Sequence, residues 1–320
     1  MTVNVYCTIF DAAYLSRALA LHASLLEASP RARLAFFCID EASSAVLSRM
    51  ALERAIVVPH AEFATAELQR VHPQRSRAEY CWTCKPFALL HLARAFPDAP
   101  WLVYVDTDMM FFGDPDAALP TEGPHYLLTP HRFSPSFERY AHAAGRHNAG
   151  YVAIRNTPQG RQAAQWWAER CIESCSVEVL GVNYGDQRYL DQMLEHVAGG
   201  AASQHAGLNA APWNIGSYRV SAPHGKVLVD GVPLLLYHFQ ALRILNGWLV
   251  DLYAGERRIG PQTRALIYQP YLELVKAAYP KLRAAQAPAM PASLRTPRDW
   301  LRLGYGLAHG RHNLARFSLS

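Results

Sequence analysis

Along the first third of the chain, short apolar runs alternate with longer stretches of helical period. Val3 to Phe10 is an apolar run of strand length, and DAAYLSRALALHASLL after it sets Leu15, Ala18, Leu19, His22, Leu25 and Leu26 on one helical face. LAFFCID, a helix-compatible stretch from Ala42 to Glu53 and a short strand at Ala55 to Val58 follow. This is a βαβαβ opening. Strands that are apolar throughout are buried on both faces, so the pattern predicts an α/β protein whose mostly parallel sheet is flanked by helices. Ligands of such sheets bind beyond the carboxyl ends of the strands.

A further helix is expected in CWTCKPFALLHLARAF, its regular part starting near Pro86, because proline suits the first helical turn. It leads into WLVYVDTDMMFF. Beyond that the alternation loosens. Strands are expected at Tyr126 to Thr129, Gly150 to Arg155 and Leu234 to Tyr237, and helices at Gln159 to Ser174, Asp186 to His196 and Pro261 to Ala285. QAPAMPASLRTP reads as a linker by its Pro and Ala content, which divides the chain into a domain at 1–285 and a linker with a basic, helical tail at 286–320.

With 51% hydrophobic and 18% charged residues in 320, the chain can bury a substantial core. No run approaches the roughly 18 apolar residues of a membrane span, and MTVNVYCTIF has no leader pattern, so a cytoplasmic protein is expected. The six cysteines lie scattered through core-like segments, which suits reduced thiols. Cys81 and Cys84 have redox-pair spacing without the small βαβ context that such a pair needs, and Cys171 and Cys175 lack a second ligand pair for zinc. A net charge of +5, not concentrated in the main body, makes no case for nucleic acid and suits an anionic small substrate. Neither G-x-G-x-x-G nor a P-loop is present to hold phosphates.

The chemistry concentrates in WLVYVDTD, an apolar strand that ends in two carboxylates one residue apart. Side chains alternate along extended backbone, so Asp106 and Asp108 can point the same way while Thr107 points elsewhere. Each raises the other's cost of ionisation unless a cation neutralises them, and Mg²⁺ or Mn²⁺ takes oxygen from carboxylates and phosphates together. The plain alternative is an acidic turn, since Gly113, Asp114 and Pro115 follow.

Several segments in one order resemble the GT-A fold glycosyltransferases, especially the retaining glycogenin and lipopolysaccharide galactosyltransferase family. Besides the D-x-D strand these are KPF at Lys85 to Phe87, HNAGYVAIRNT with Asn148, Ala149 and Gly150, GDQRYLDQM with Asp186 and Gln187, NAAPWNI at Asn209 to Ile215, and LLLYHFQ ending at His238. Together they cover roughly residues 1 to 245. The resemblance implies a GT-A (Rossmann-like) fold and transfer of a sugar from a nucleotide diphosphate donor, a UDP-sugar by family habit, to a glycan. It implies Mn²⁺ or Mg²⁺ held by Asp106, Asp108 and His238. A cation there stabilises the charge that develops on the leaving diphosphate.

The same resemblance implies donor contacts at Thr8, Phe10 and Asp11 after the first strand, at Tyr14, at Thr107, and at Asn148 to Gly150. Asp11 equally suits a helix cap and Tyr14 simple packing. Lys85 is open to a donor phosphate or to Asp108. Asp186 sits where an N-cap would, so two roles stand open: capping the next helix, or facing the anomeric carbon with Gln187 in a retaining reaction. Trp82, Trp213 and Trp248 offer faces for a sugar or belong to the core. In the tail, Arg295, Arg298, Arg302, Arg311 and Arg316 interleave with Trp300, Leu301, Leu303, Leu307 and Phe317, a composition that suits either the inner face of an anionic membrane or packing back on the domain. A haloacid-dehalogenase phosphatase, the main rival for D-x-D, wants the motif on its first strand. A non-catalytic carbohydrate-binding module would not need all three metal ligands.

Overall fold

The computed structural model describes residues 3–178, 184–245, 247, 249–255, 257–288, 297–308 and 313–317. The chain opens with β1 (Val5–Phe10), α1 (Leu15–Ala28), β2 (Arg33–Cys38), α2 (Glu41–Met50) and β3 (Ala55–Pro59), the βαβαβ unit that the apolar periods predict. Two short helices, α3 (His60–Phe63) and α4 (Ala66–Val71), precede α5 (Arg77–Ala95), then β4 (Trp101–Val105), β5 (Met109–Phe111) and β6 (Tyr126–Pro130). The single turn α6 (Ala141–Ala144), β7 (His147–Arg155), α7 (Pro158–Glu173), α8 (Arg188–His196) and β8 (Gly200–Ala202) complete the main sheet and its cover.

Seven strands lie in the order β3-β2-β1-β4-β7-β6-β8. All run in one direction except β7, which is antiparallel to both β4 and β6. The mostly parallel sheet expected from the sequence is thus present. Its two faces carry separate cores. Tyr80, Leu89, Leu92, Trp167 and Leu190 of α5, α7 and α8 cover one face, and Leu15, Leu19, Leu25, Val46 and Leu47 of α1 and α2 the other. Burial of each such side chain stabilises the fold by about 1.5–3 kcal/mol, which is why helices flank the sheet on both sides.

The C-terminal third is built from small strands. β9 (Val220–Ser221), β10 (Leu228–Val229) and β11 (Val232–Pro233) form one sheet; β12 (Leu236–His238) pairs with β5; β13 (Arg243–Ile244) and β14 (Leu249–Asp251) begin a third. After α9 (Pro261–Thr263) and a π-helical turn, α10 (Gln269–Ala284) returns to pack against α1, placing Ala278 and Leu282 in its core. Then come α11 (Pro297–Ala308) and β15 (Leu314–Arg316), which pairs with β14. The end of the tail therefore packs back on the body, with Phe317 buried, whereas Trp300, Leu301, Tyr305 and Leu307 of α11 are exposed. Much of the expected linker, with Arg295 and Arg311, lies outside the described residues. No helix among them is long and apolar enough to cross a membrane.

Of the boundaries that differ from the sequence expectation, three bear on the site. The helix expected to begin near Pro86 begins at Arg77, so Pro86 is interior and Lys85 lies mid-helix, not at a helix start. A reciprocal cap explains the early start: Ser76 Oγ accepts from Glu79 N, and Glu79 Oε2 accepts from Ser76 N at 2.8 Å. The helix expected from Asp186 begins at Arg188, with Gln187 in the cap position and no side-chain cap bond. Asp186 is therefore not a helix cap. The strand expected from Gly150 begins at His147, which takes Asn148 and Ala149 into the sheet.

Candidate metal and donor site

β4 lies in the middle of the sheet and delivers its two carboxylates to the carboxyl edge. The turn Asp106-Thr107-Asp108 then hands the chain to β5, which pairs antiparallel with β12 in a register that sets Met109 opposite His238. A backbone bond from Phe239 N to Asp108 O, 2.8 Å, locks that register. A histidine more than a hundred residues away is thereby placed beside the acids: His238 Nε2 lies 3.2 Å from Asp108 Oδ1 and 3.9 Å from Asp106 Oδ2. One ligand atom from each residue falls within 4.8 Å of the others. Two carboxylate oxygens and an imidazole nitrogen form a donor set that fits a divalent cation.

Lys85 anchors the other side of Asp106. Its ammonium, 3% exposed, meets Asp106 Oδ1 at 3.0 Å and Asp186 Oδ2 at 3.1 Å, donates to Ala149 O at 3.3 Å, and lies 5.0 Å from the Tyr104 ring centre. Tyr104 also donates to Asp106 Oδ1 at 2.7 Å. Lys85 is thus paired with Asp106 and Asp186, not with Asp108. Burial alone would lower the lysine pKa, but the two carboxylates outweigh it and hold the charge. At Asp186 burial has the opposite sign and raises the pKa, Asp106 adds to this, and Lys85 offsets part. At His238 burial pulls the pKa down, and Asp108 and Asp106 more than reverse it.

Asn148 on β7 joins the parts. Its Oδ1 accepts from Gly150 N and Asn209 Nδ2, each at 3.0 Å, and its Nδ2 donates to Gln187 Oε1 at 3.0 Å and to His131 Nε2 at 3.4 Å. All four hydrogen-bonding positions of the amide are used, so its orientation is fixed. Asn209 reaches it from a left-handed backbone conformation, φ 64°, which asparagine tolerates. Gly150 permits the crowding: a Cβ there would lie 2.6 Å from Asn148 Oδ1 and 2.9 Å from His238 Nδ1. At the start of β7, the buried Asp191 of α8 accepts from Arg146 N, His147 N, His147 Nδ1 and Arg188 Nη1. That clamp ties the strand carrying Asn148 to the helix that follows Asp186 and Gln187.

A cavity of about 680 Å³ opens over these groups, a size suited to a small-molecule ligand. Phe10, Asp11, Tyr14, Lys85, Asp106, Thr107, Asp108, Asn148, Ala149, Gly150, Asp186, Gln187 and His238 all line it. Thr8 does not; its hydroxyl is buried against Thr107 Oγ1 at 2.7 Å and supports the turn from below. Asp11 does cap the short turn after it, through Ala13 N at 2.8 Å, and also pairs with Arg77 at 2.9 Å. Trp82 and Trp213 line the cavity, while Trp248 lies outside the described residues. Burial pushes the Cys81 thiol up to about 12, opposite to the lowered pKa of a reactive thiol, which disfavours the redox reading. Sequence reasoning missed Arg77, Tyr104 and His131. Tyr104 stands two residues before Asp106, on the same side of the strand, and that spacing was the one available signal.

No family model matches the chain. The uncharacterized proteins YfnD and YfnF of Bacillus subtilis (strain 168) are similar to it: YfnD is 32% identical over 289 residues, 89% of this chain and 93% of YfnD, and YfnF 31% identical over 251 residues, 76% and 83%. The chain belongs to the family of these two proteins. Among solved structures, the galactosyltransferase LgtC, in complex with donor and acceptor sugar analogs, is similar over 88% of this chain and 99% of its own, with a TM-score of 0.54 at 16% identity. The apo-form glycosyltransferase GlyE of Streptococcus pneumoniae TIGR4 is similar over 97% of this chain and 64% of its own, with a TM-score of 0.51 at 14% identity. The family member described here thus has the GT-A glycosyltransferase fold.

Two predictions follow from the packing. Gly150→Ala will push Asn148 and His238 apart, costing about 1–3 kcal/mol of stability in urea. His131, held by burial at about 3 against 6.5 when free, resists protonation in the fold. Stability is therefore complete above pH 6.5 and falls below it toward pH 3, this group adding a slope of about 1.4 kcal/mol per pH unit. Urea unfolding of His131→Phe between pH 7 and 4 will show a correspondingly flatter slope.

Proposed function

We propose that the chain is a metal-dependent glycosyltransferase that moves a sugar from a nucleotide diphosphate sugar, by preference a UDP-sugar, to a glycan hydroxyl with retention of configuration. The observation that carries this is the meeting of Asp106, Asp108 and His238 at the rim of a GT-A sheet, within one cavity. A bound divalent cation would supply positive charge to the diphosphate as it departs. The remaining work belongs to the chain.

In the transfer, the anomeric C–O bond to the diphosphate breaks and its electron pair leaves with the phosphate. The acceptor oxygen forms the new bond to the same carbon, and its proton passes to the departing phosphate. Asp106 and Asp108 grip one side of the site, and Lys85 keeps Asp106 turned toward His238 by holding its Oδ1. Asp186 and Gln187 face the sugar from the start of α8, where a carboxylate steadies positive charge on the ring. Asn148 holds the Gln187 amide in place. Phe10, Asp11 and Tyr14, at the end of β1, receive the base and ribose, with Arg77 beside Asp11. The buried thiols and the mild overall charge favour no other chemistry.

The test is a panel of nucleotide sugars with Mn²⁺. A true donor present at about 100 times its Kd will stabilise the fold by about 2.7 kcal/mol, read as a rise in Tm. Asp108→Ala will abolish that rise and lower donor hydrolysis by about 100-fold or more; dephosphorylation of simple monoesters with no response to any nucleotide sugar would refute the proposal. Proton NMR of the first-formed product will show the donor's anomeric configuration, and the opposite anomer would overturn retention alone.

A further inference from the structure

His238 is the last residue of β12, so strand pairing fixes it from one side only. On its other side the chain leaves the sheet and turns: Leu242 N bonds to Phe239 O and Ala254 N to Ala241 O, each at 3.0 Å, and Ala241 takes a left-handed backbone conformation, φ 60°. A residue with a Cβ disfavours that conformation, which persists only where the surroundings over-determine it. The turn belongs to the site, because Gln240 lines the cavity.

Side chains supply two further restraints. Phe239 stacks on Tyr271 of α10, the ring centres 3.7 Å apart and the planes 7° from parallel, with Tyr268 edge-on at 5.1 Å. From α1, Arg17 Nη2 donates to Leu242 O at 3.3 Å, and the same guanidinium lies 4.7 Å from the ring centre of Tyr14, which lines the cavity. Arg17 is the third residue of α1, where the positive end of the helix dipole disfavours a cation. Its surroundings offset that cost: the Leu242 carbonyl, the Tyr14 ring and the charge of Asp108 all favour a cation there. At Asp108 burial raises the pKa, and His238 and Arg17 more than reverse it. Lys85 thus lies against Asp106, whereas the charge of Arg17 acts on Asp108.

We propose that Arg17 is a positioning residue of the metal site, which holds the turn after β12 and thereby keeps the His238 imidazole facing Asp106 and Asp108. This rests on the metal-dependent glycosyltransferase reading above. A role as a charge alone has the opposite sign. A fixed cation beside Asp108 repels an incoming divalent ion, so removing the charge and nothing else would tighten metal binding; freeing the turn lets His238 drift from the acids and weakens it.

Titration of the full chain with Mn²⁺, followed by electron paramagnetic resonance, tests this, with pulsed spectra reading the nitrogen coupling of an imidazole bound to the ion. The unaltered chain is expected to bind Mn²⁺ and to show that coupling. Arg17→Met will weaken Mn²⁺ about tenfold, the low end for an outer partner of a metal ligand, and diminish the coupling. Arg17→Lys, which keeps the charge and a donor of similar reach, will bring the affinity back to within about threefold and restore the coupling. Arg17→Gln carries the same test as Arg17→Met should the latter fail to fold. The positioning role is refuted if the coupling stays intact in the Met and Gln variants, whatever their affinity, or if Arg17→Lys restores nothing. Those results, with Mn²⁺ binding and donor hydrolysis retained, leave the transferase reading standing. A chain that binds Mn²⁺ without nitrogen coupling removes His238 as a ligand and the role of Arg17 with it, and one that binds no Mn²⁺ sinks the metal-dependent reading as well.

Discussion

Everything at the carboxyl edge of the sheet depends on the buried ammonium of Lys85. Three carboxylates, the partly exposed Asp106 and Asp108 and the buried Asp186, converge at the floor of the cavity, and their mutual repulsion would otherwise force protons onto them or turn them apart. Lys85 meets two of the three directly. It offsets one charge and fixes Asp106 so that its second oxygen faces His238. One ammonium against three carboxylates leaves the cluster acidic, the setting in which a cation would be attracted. The same pairing explains why a lysine can be interior to a helix and almost fully buried without losing its proton.

That electrostatic arrangement is held by backbone. The β5–β12 ribbon brings His238 to Asp108 through strand register, which one residue of slip would turn to the opposite face. β7 closes the site from the other side, with Asp106 N bonded to Gly150 O at 2.8 Å. Because Asn148 uses all its hydrogen-bonding capacity, one bond within its own strand and three to other segments, none of those segments can shift without leaving a buried polar group unpaired, a cost of about 1–3 kcal/mol.

How much of this was legible in the sequence depends on the range of the interaction. The opening βαβαβ unit and the placement of Asp106 and Asp108 at a strand end follow from local period, and both are found. His238 was visible only through resemblance, because a lone histidine after an apolar run says nothing about which strand it will pair with. The role of Lys85 was legible as chemistry but not in its partners: Asp186 lies a hundred residues beyond it, and the expected helix start at Pro86 hid the fact that Lys85 points inward from mid-helix. The true start was written in Ser76 and Glu79, a capping pair outweighed by the usual reading of a proline. Asp186 looked like a cap for the same local reason, and a long-range ion pair claims it instead.

The division of labour along the edge follows from where the strands end. Groups that must hold a fixed geometry, Asp106, Asp108, Asn148, Gly150 and His238, sit on or directly beside paired strands, where hydrogen bonds to a neighbouring strand set the backbone. The groups at the two ends of the cavity sit on connections, Asp11 and Tyr14 after β1 and the 131–144 segment after β6. Connections of this kind change without disturbing the sheet, so what the cavity accepts at its ends is separable from the chemistry at its centre. Here the end after β6 is stiffened by ring stacking and by bonds to Trp213 and Asn214, so its shape persists without a ligand to organise it. A surface already rigid has little conformational entropy left to lose when a ligand settles on it.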